Sequence, residues 1–231
     1  MNEGILKAEQ ETAEVKDVKP TLIAIKKRTY AVAKRTFDFV FALVCTLLLL
    51  PVMLIVAILI RIDSKGNPIF IQKRIGKHGK TIKILKFRSM VQNGEAVLEK
   101  LMKENPAIKK EYLKNKKLEN DPRITKMGKF IRKTSIDELP QIINILKGEM
   151  SLIGPRPYLF REKEDMGKAY NEIIKVKPGL TGLWQVSGRS DISFEERCEL
   201  ESFYAKNIGP KMDLKIFFKT FEVVLKHKGA K

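Results

Sequence analysis

From Phe39 to Ile60 the chain reads FVFALVCTLLLLPVMLIVAILI, 22 residues without a charge. Coiled as a helix at about 1.5 Å per residue, this run matches a hydrocarbon core of roughly 30 Å. It is longer than a soluble core helix needs. No small-residue cleavage site closes it and Arg61 follows directly, so it is expected to stay in the mature protein rather than leave as a signal peptide. Pro51 lies near its middle, where the missing N–H kinks or breaks a helix. Lys26, Lys27, Arg28, Lys34 and Arg35 precede the run, and Arg61, Lys65, Lys73, Arg74, Lys77 and Lys80 follow it. With both flanks basic, the positive-inside bias favours a re-entrant helix-break-helix that enters and leaves by one face, with its break at Leu50-Pro51. A mildly kinked span with the short N-terminus outside is the competing arrangement.

The remaining composition points to anionic partners. Lys and Arg number 45 against 27 Asp and Glu, a formal charge of +18, which suits phospholipid head groups, a phosphorylated substrate or nucleic acid. Residues 61–231 alone hold 37 basic and 21 acidic residues, so this body is expected against anionic lipid on the cytoplasmic leaflet. No nucleic-acid module is recognisable and aromatic residues make up only 8%, which argues against a nucleic-acid partner. Two histidines and two cysteines, Cys45 and Cys198, are too few for a closed zinc site or a disulfide framework. Both cysteines are expected as reduced thiols.

Residues 1–20 are polar and read as a mobile tail. Residues 21–60 form an interfacial segment, 21–35, leading into the membrane helix. Residues 61–231 form the remaining body of the chain, expected on the cytoplasmic side. Within it, IFIQKRIGKHGKTIKILKF alternates around Gly76 and Gly79 as a short hairpin does. A Lys-rich arm covers about 95–119, interrupted at Asn105-Pro106. Near the end, Leu214, Phe217, Phe218, Phe221, Val224 and Leu225 recur at helical spacing, which fits either a core-facing or an interfacial helix. The fold class is thus α/β-mixed and mostly helical, with a membrane-embedded re-entrant helix, interfacial amphipathic helices and a small β element.

The chemistry is concentrated in Asp121–Pro157, DPRITKMGKFIRKTSIDELPQIINILKGEMSLIGPRP. Ser135 followed three residues later by Glu138 reads as a capping box, opening a helix over Ile136–Lys147 that Gly148 closes. Asp137 and Glu138 at a helix N-terminus could simply complement its dipole. Yet Arg123, Lys126, Lys129, Arg132 and Lys133 precede them and Arg156 follows between two prolines, a setting that can hold a divalent cation and a phosphate together. The helix terminus is expected to depress the carboxyl of Asp137 and keep it an anionic nucleophile. Arg156 is presented by a stiff backbone suited to bidentate phosphate contact.

These stretches resemble the bacterial sugar transferases, the small monotopic polyprenyl-phosphate phosphoglycosyl transferases. The resemblance runs through KRTFDF, PIFIQKRIG, KILKFRSM, the Asp121–Pro157 stretch, VKPGLTGLWQVSGRS and DLKIFFKT, in that order. Where the family commonly has Ser-Pro at the membrane break, this chain has Leu50-Pro51, so a hydroxyl serving the freed backbone would come from elsewhere, with Thr46 the candidate. Without the extra N-terminal transmembrane helices of the larger members, the sequence is expected to be a compact catalytic unit.

The resemblance implies transfer of a sugar 1-phosphate from a UDP-sugar to polyprenyl phosphate, normally undecaprenyl phosphate, with release of UMP. It implies Mg²⁺, a covalent phosphosugar on the aspartate, and a site on the cytoplasmic face of the inner membrane, initiating exopolysaccharide, capsule or glycoconjugate assembly. Asp137 then becomes nucleophile and metal ligand, and Glu138 its partner in metal binding or proton handling. Lys86, Arg132 and Arg156 are the candidates for holding phosphates. Arg88 is read either with them or as the partner of a structural carboxylate. Trp184 could stack on a nucleotide or lie buried, while Gln185 and Arg189 are candidates for contact with uracil or a nucleotide phosphate. No motif distinguishes UDP-glucose, UDP-galactose and N-acetylated or modified sugars. The alternative outside enzymology is a non-catalytic, membrane-bound scaffold of a polysaccharide assembly complex.

Overall fold

A computed structural model describes residues 3–115, 118, 120–188 and 192–225, with side chains from Arg28 onward except at 114, 115, 224 and 225, so the predicted apolar positions Val224 and Leu225 lie outside the described side chains. One helix dominates it: α1 (Glu3–Asp63) takes in the segments expected as tail, interfacial helix and membrane helix. It is helical without interruption through Leu50-Pro51, where the sequence predicts a break. Pro51 removes only the bond that would run to the Leu47 carbonyl, and the flanking leucines and valines keep helical backbone. Thr46 does not serve that freed carbonyl. Its hydroxyl donates to Ala42 O, at 2.7 Å, one turn earlier.

The 28–63 part of α1 is long and apolar enough to cross a membrane, yet it does not stand away from the body. Asp38, Ala42, Met53, Val56 and Ile60 are buried, and Cys45 and Leu49 pack partly buried between them. These positions follow one another at three- and four-residue steps, so they form one stripe along the whole run. The opposite face is open: Leu47, Leu48, Leu54, Ile55, Ile58 and Ile62 are each more than half exposed.

After α1 the predicted hairpin is present: β1 (Ile69–Ile75) pairs antiparallel with β2 (Thr81–Phe87), Ile69 facing Phe87 and Ile75 facing Thr81. The Lys-rich arm folds as α2 (Gly94–Glu104) and α3 (Pro106–Asn115). The Asn105 side chain accepts from Ala107 and Ile108 and starts the second helix. Next come α4 (Lys126–Lys133), capped by Thr125 on the Gly128 N–H, and α5 (Gln141–Leu146). A parallel pair, β3 (Ser151–Ile153) with β4 (Gly179–Thr181), brackets α6 (Ala169–Ile173). The chain closes with α7 (Leu183–Ser187), α8 (Phe194–Lys206) and α9 (Pro210–Leu225).

The main core joins Ala42 of α1 to Ile82 and Ile84 of β2, Ile142 and Ile145 of α5, Leu152 and Ile153 of β3, Tyr204 and Ile216. A second cluster sets Met53, Val56 and Ile60 of α1 against Phe87 and Ile131. Polar anchors fix α1 to the same body. The Arg35 guanidinium donates to the Ile145 and Leu146 carbonyls at 2.6 and 2.8 Å, satisfying the open end of α5. Buried Asp38 accepts the Leu152 N–H at 3.0 Å, and Asp213 gathers Tyr30, Lys34 and Tyr204. α9 divides its apolar residues: Ile216 is buried and Phe217 packs on Phe37 and Phe41. Leu214, Phe218 and Phe221 are over half exposed. Both cysteines are free thiols.

Candidate active site

Asp137 and Glu138 lie on a single 3₁₀ turn, Ile136–Glu138, between α4 and α5. Ser135 is not the predicted cap: it sits at φ 58°, ψ 15°, and its side chain bonds nothing in the turn. The left-handed residue reverses the chain after α4, and the helix proper begins only at Gln141. Ile136 and Leu139 turn inward onto the second cluster, which aims the two carboxylates the other way. Glu138 is taken by Lys86, whose Nζ lies 2.7 Å from Oε1, so it cannot reach back to close a capping box.

The strand leading out of β2 supplies the site in alternating fashion. Lys86 faces Glu138, Phe87 enters the core, and Ser89 Oγ accepts from Arg132 Nε at 2.9 Å. Arg88 does neither thing expected of it. Its guanidinium donates to the Ser64 and Lys65 carbonyls at 2.6 and 2.9 Å, capping the end of α1. α4 lies so close to this strand that a Cβ on Gly128 would stand 2.0 Å from Ser89 O. That close approach is what brings Arg132 to Ser89.

The electrostatics reverse one expectation. Burial and then the adjacent Glu138 charge lift the Asp137 carboxyl to about 6, against the pull of Lys86 and Arg132. The dipole of a one-turn helix is too small to depress it. For Glu138 burial also acts upward, but Lys86, Arg156 and the Gln141 amide outweigh it and hold the carboxyl below its ordinary value.

Arg156 is carried on a strap, Gly154–Tyr158, in which residues 155 and 157 are prolines without N–H groups. Gly154 and Gly179 meet backbone to backbone, leaving no room for a Cβ on either. Pro155 O accepts from Gly179 N at 2.7 Å, Pro157 O from the Arg74 guanidinium at 3.1 Å, and Tyr158 O from Ile75 N at 2.9 Å. The Arg156 N–H itself donates to Glu201 Oε1 at 2.9 Å. Its guanidinium faces the Trp184 ring at 5.7 Å, while Arg197 stacks on the same ring at 4.4 Å.

Trp184 is therefore buried under arginine rather than open to a base. Its Nε1 and the Gln185 Oε1 are buried without a hydrogen-bond partner among the described residues. Arg189 lies outside those residues. Of the predicted set, then, Lys86, Arg132, Asp137, Glu138 and Arg156 act on one another within one site, and Pro51 lies apart in α1. Sequence reasoning missed Arg74, Arg197, Glu201 and Ser89. Only a three-dimensional placement reveals them: Arg74, Glu201 and Ser89 each act across more than 40 residues of chain, and Arg197 acts through its place on the Trp184 ring.

Glu201 is wholly buried in α8. Burial lifts its carboxyl to about 8, opposed by the Arg156 N–H and by the charges of Arg156 and Arg197; Tyr158 and Cys198 also face it. The folded state therefore keeps a proton that the unfolded chain loses from about pH 4.5 upward, and this group's contribution to stability falls with rising pH through that window, levelling off above about 8. Glu201→Gln, neutral throughout, is expected to gain in melting temperature relative to wild type as pH rises from 5 to 8.5. Thermal melts across that range test it, and a gap that stays constant would contradict it.

The chain belongs to the bacterial sugar transferase family, whose model matches residues 29–227. A UDP-galactose-lipid carrier transferase of Erwinia amylovora is 48% identical over 206 residues, 89% of this chain and 43% of that protein. An undecaprenyl-phosphate galactose phosphotransferase of Salmonella typhimurium is 45% identical over 207 residues, again 89% of this chain and 43% of the relative. The exopolysaccharide production protein ExoY of Sinorhizobium fredii is 42% identical over 199 residues, 86% of this chain and 88% of its own length. The chain thus spans less than half the length of the first two relatives and is matched by most of the third.

Proposed function

We propose that this protein transfers a sugar 1-phosphate from a UDP-sugar to polyprenyl phosphate, releasing UMP and starting assembly of a bacterial exopolysaccharide, capsule or glycoconjugate. The carrying observation is the Asp137–Glu138 turn held among Lys86, Arg132 and Arg156 beside a largely exposed apolar helix. Asp137 Oδ attacks the sugar-bearing phosphorus, and the bond to the bridging oxygen breaks, with the electron pair leaving on UMP. A phosphate oxygen of the lipid then attacks the same phosphorus and frees Asp137. Such chemistry needs mainly positioning and charge neutralisation. Lys86, Arg132 and Arg156 supply fixed positive charge to the phosphate oxygens, and Lys86 holds Glu138 in place between turnovers.

The site also fits Mg²⁺. Two adjacent carboxylates suit an ion that takes one or two protein ligands and completes its shell with water and substrate phosphates. Among the described residues there is no group of three or more His, Cys, Asp or Glu that would build a closed cage. When bound by Asp137 and Glu138, the ion would neutralise charge on the transferring phosphoryl group.

A re-entrant, monotopic placement on the cytoplasmic face of the inner membrane completes the reading. The stripe from Asp38 to Ile60 packs on the catalytic body over its whole length, so a crossing helix would have to abandon those contacts. Pro51, which lacks one helical hydrogen bond, is where such a segment would bend within one leaflet, although the helix runs on through it here. Its exposed leucine face, with Phe218 and Phe221 of α9, would meet acyl chains, while the basic body meets anionic head groups. Cysteines introduced at residues 5 and 228 of a cysteine-free variant are expected both to resist an impermeant thiol reagent in intact cells; labelling at residue 5 alone would establish a span.

The function is tested by UMP release from purified protein given undecaprenyl phosphate, Mg²⁺ and a panel of UDP-sugars. UDP-galactose comes first because two relatives carry galactose in their names. Release with one donor that depends on the lipid supports the assignment. Silence across the panel from folded protein favours the scaffold instead.

A further inference from the structure

The geometry points to Glu201 as the positioning residue for Arg156, holding the Pro-Arg-Pro strap by its one backbone donor so that the guanidinium faces the carboxylate turn. This rests on the reading that Arg156 holds a substrate phosphate.

Across Pro155, Arg156 and Pro157 a single N–H exists, because neither proline has one. That donor goes to Glu201 Oε1 at 2.9 Å, and no other group among the described residues shares it. The strap's carbonyls are held separately, by Gly179, Arg74 and Ile75. Those three contacts come from β4 and β1, on the carbonyl side. From α8, Glu201 is the residue that bonds the strap's backbone, while Cys198 and Phe194 meet only the Tyr158 side chain.

The surroundings distinguish this carboxyl group from a filler. Glu201 is fully buried, and its Oε2 has no hydrogen-bond partner among the described residues. The Nε atoms of Arg156 and Arg197 are likewise buried and unpartnered. A carboxylate recruited as an ion-pair partner would engage those guanidinium groups with both oxygens. Instead neither guanidinium bonds it, and the one oxygen in use is spent on backbone. Glu201 therefore acts through the position of the strap rather than by pairing with the arginine heads.

A matched pair of neutral variants tests this. Glu201→Gln keeps an acceptor in place, and Glu201→Met keeps the shape without one. With the UDP-sugar that the wild type turns over, Glu201→Met is expected to lower kcat/KM at least about tenfold, and Glu201→Gln to recover most of that loss. Where Glu201→Met fails to fold, Glu201→Ala replaces it, with the same order expected. The decisive readout is the cycle with Arg156→Ala, in which the difference between the Gln and Met variants is expected to vanish because the group being positioned is gone. Equal impairment of both variants, or a difference that persists undiminished without the Arg156 side chain, would overturn the assignment. Full activity of Arg156→Ala alone would instead sink the phosphate reading beneath it.

Discussion

Asp137→Asn is expected to lower UMP release to on the order of one-thousandth of wild type or less, because an amide cannot attack phosphorus and no neighbouring carboxylate can take its place. Glu138 cannot substitute, since its carboxylate is engaged by Lys86 at 2.7 Å. The same change should not weaken the fold. No other side chain donates a hydrogen bond to Asp137 among those described, and burial together with the Glu138 charge already disfavours its ionised form. Removing that charge relieves a repulsion, so the variant's melting temperature is expected to equal or exceed that of wild type. This is the pattern of a residue kept for chemistry at the expense of stability. Thermal melts beside the UMP assay check both halves. A variant that is inactive and also strongly destabilised would place Asp137 among the structural residues.

Arg156→Ala is expected to cost about 10²- to 10³-fold in kcat, the size typical of removing one preorganised group that stabilises developing charge. The backbone of the strap remains held in this variant, because Glu201 and the three carbonyl contacts do not involve the guanidinium as donor. Arg156→Lys should recover little. An ammonium offers no planar fork to a phosphate and loses the approach of the guanidinium to Trp184. Steady-state kinetics of the two variants decide the point, and a lysine variant close to wild type would reduce Arg156 to a simple counter-charge.

Much of the architecture is legible in the residues because it is local. The hairpin follows from alternation around Gly76 and Gly79, the split arm from Asn105-Pro106, and the long apolar helix from 22 residues without a charge. The features that mislead depend on partners distant in sequence. Ser135 and Glu138 have the spacing of a capping box, yet Lys86, 52 positions away, claims the glutamate while a left-handed backbone turns Ser135 aside. Arg88 sits beside Lys86 in one motif and still serves the end of α1. Trp184 looks like a platform for a base, but Arg197 and Arg156 already face its ring. Pro51 marks a weakened turn without ending the helix, because the run on either side is so uniformly helical. Asp137 shows why charge counting alone misjudges ionisation: the cations are there, and burial next to a second carboxylate outweighs them.

The central claim is that Asp137 carries the sugar phosphate during turnover, and intact-protein mass spectrometry reads this directly. Wild-type protein is incubated with Mg²⁺ and its UDP-sugar in the absence of lipid acceptor, and then given undecaprenyl phosphate. The account predicts a mass gain of one sugar phosphate, accompanied by stoichiometric UMP, that disappears when the lipid is added and never forms in Asp137→Asn. An adduct of the same mass on Asp137→Asn, or lipid-dependent UMP release by that variant at the wild-type rate, would contradict it.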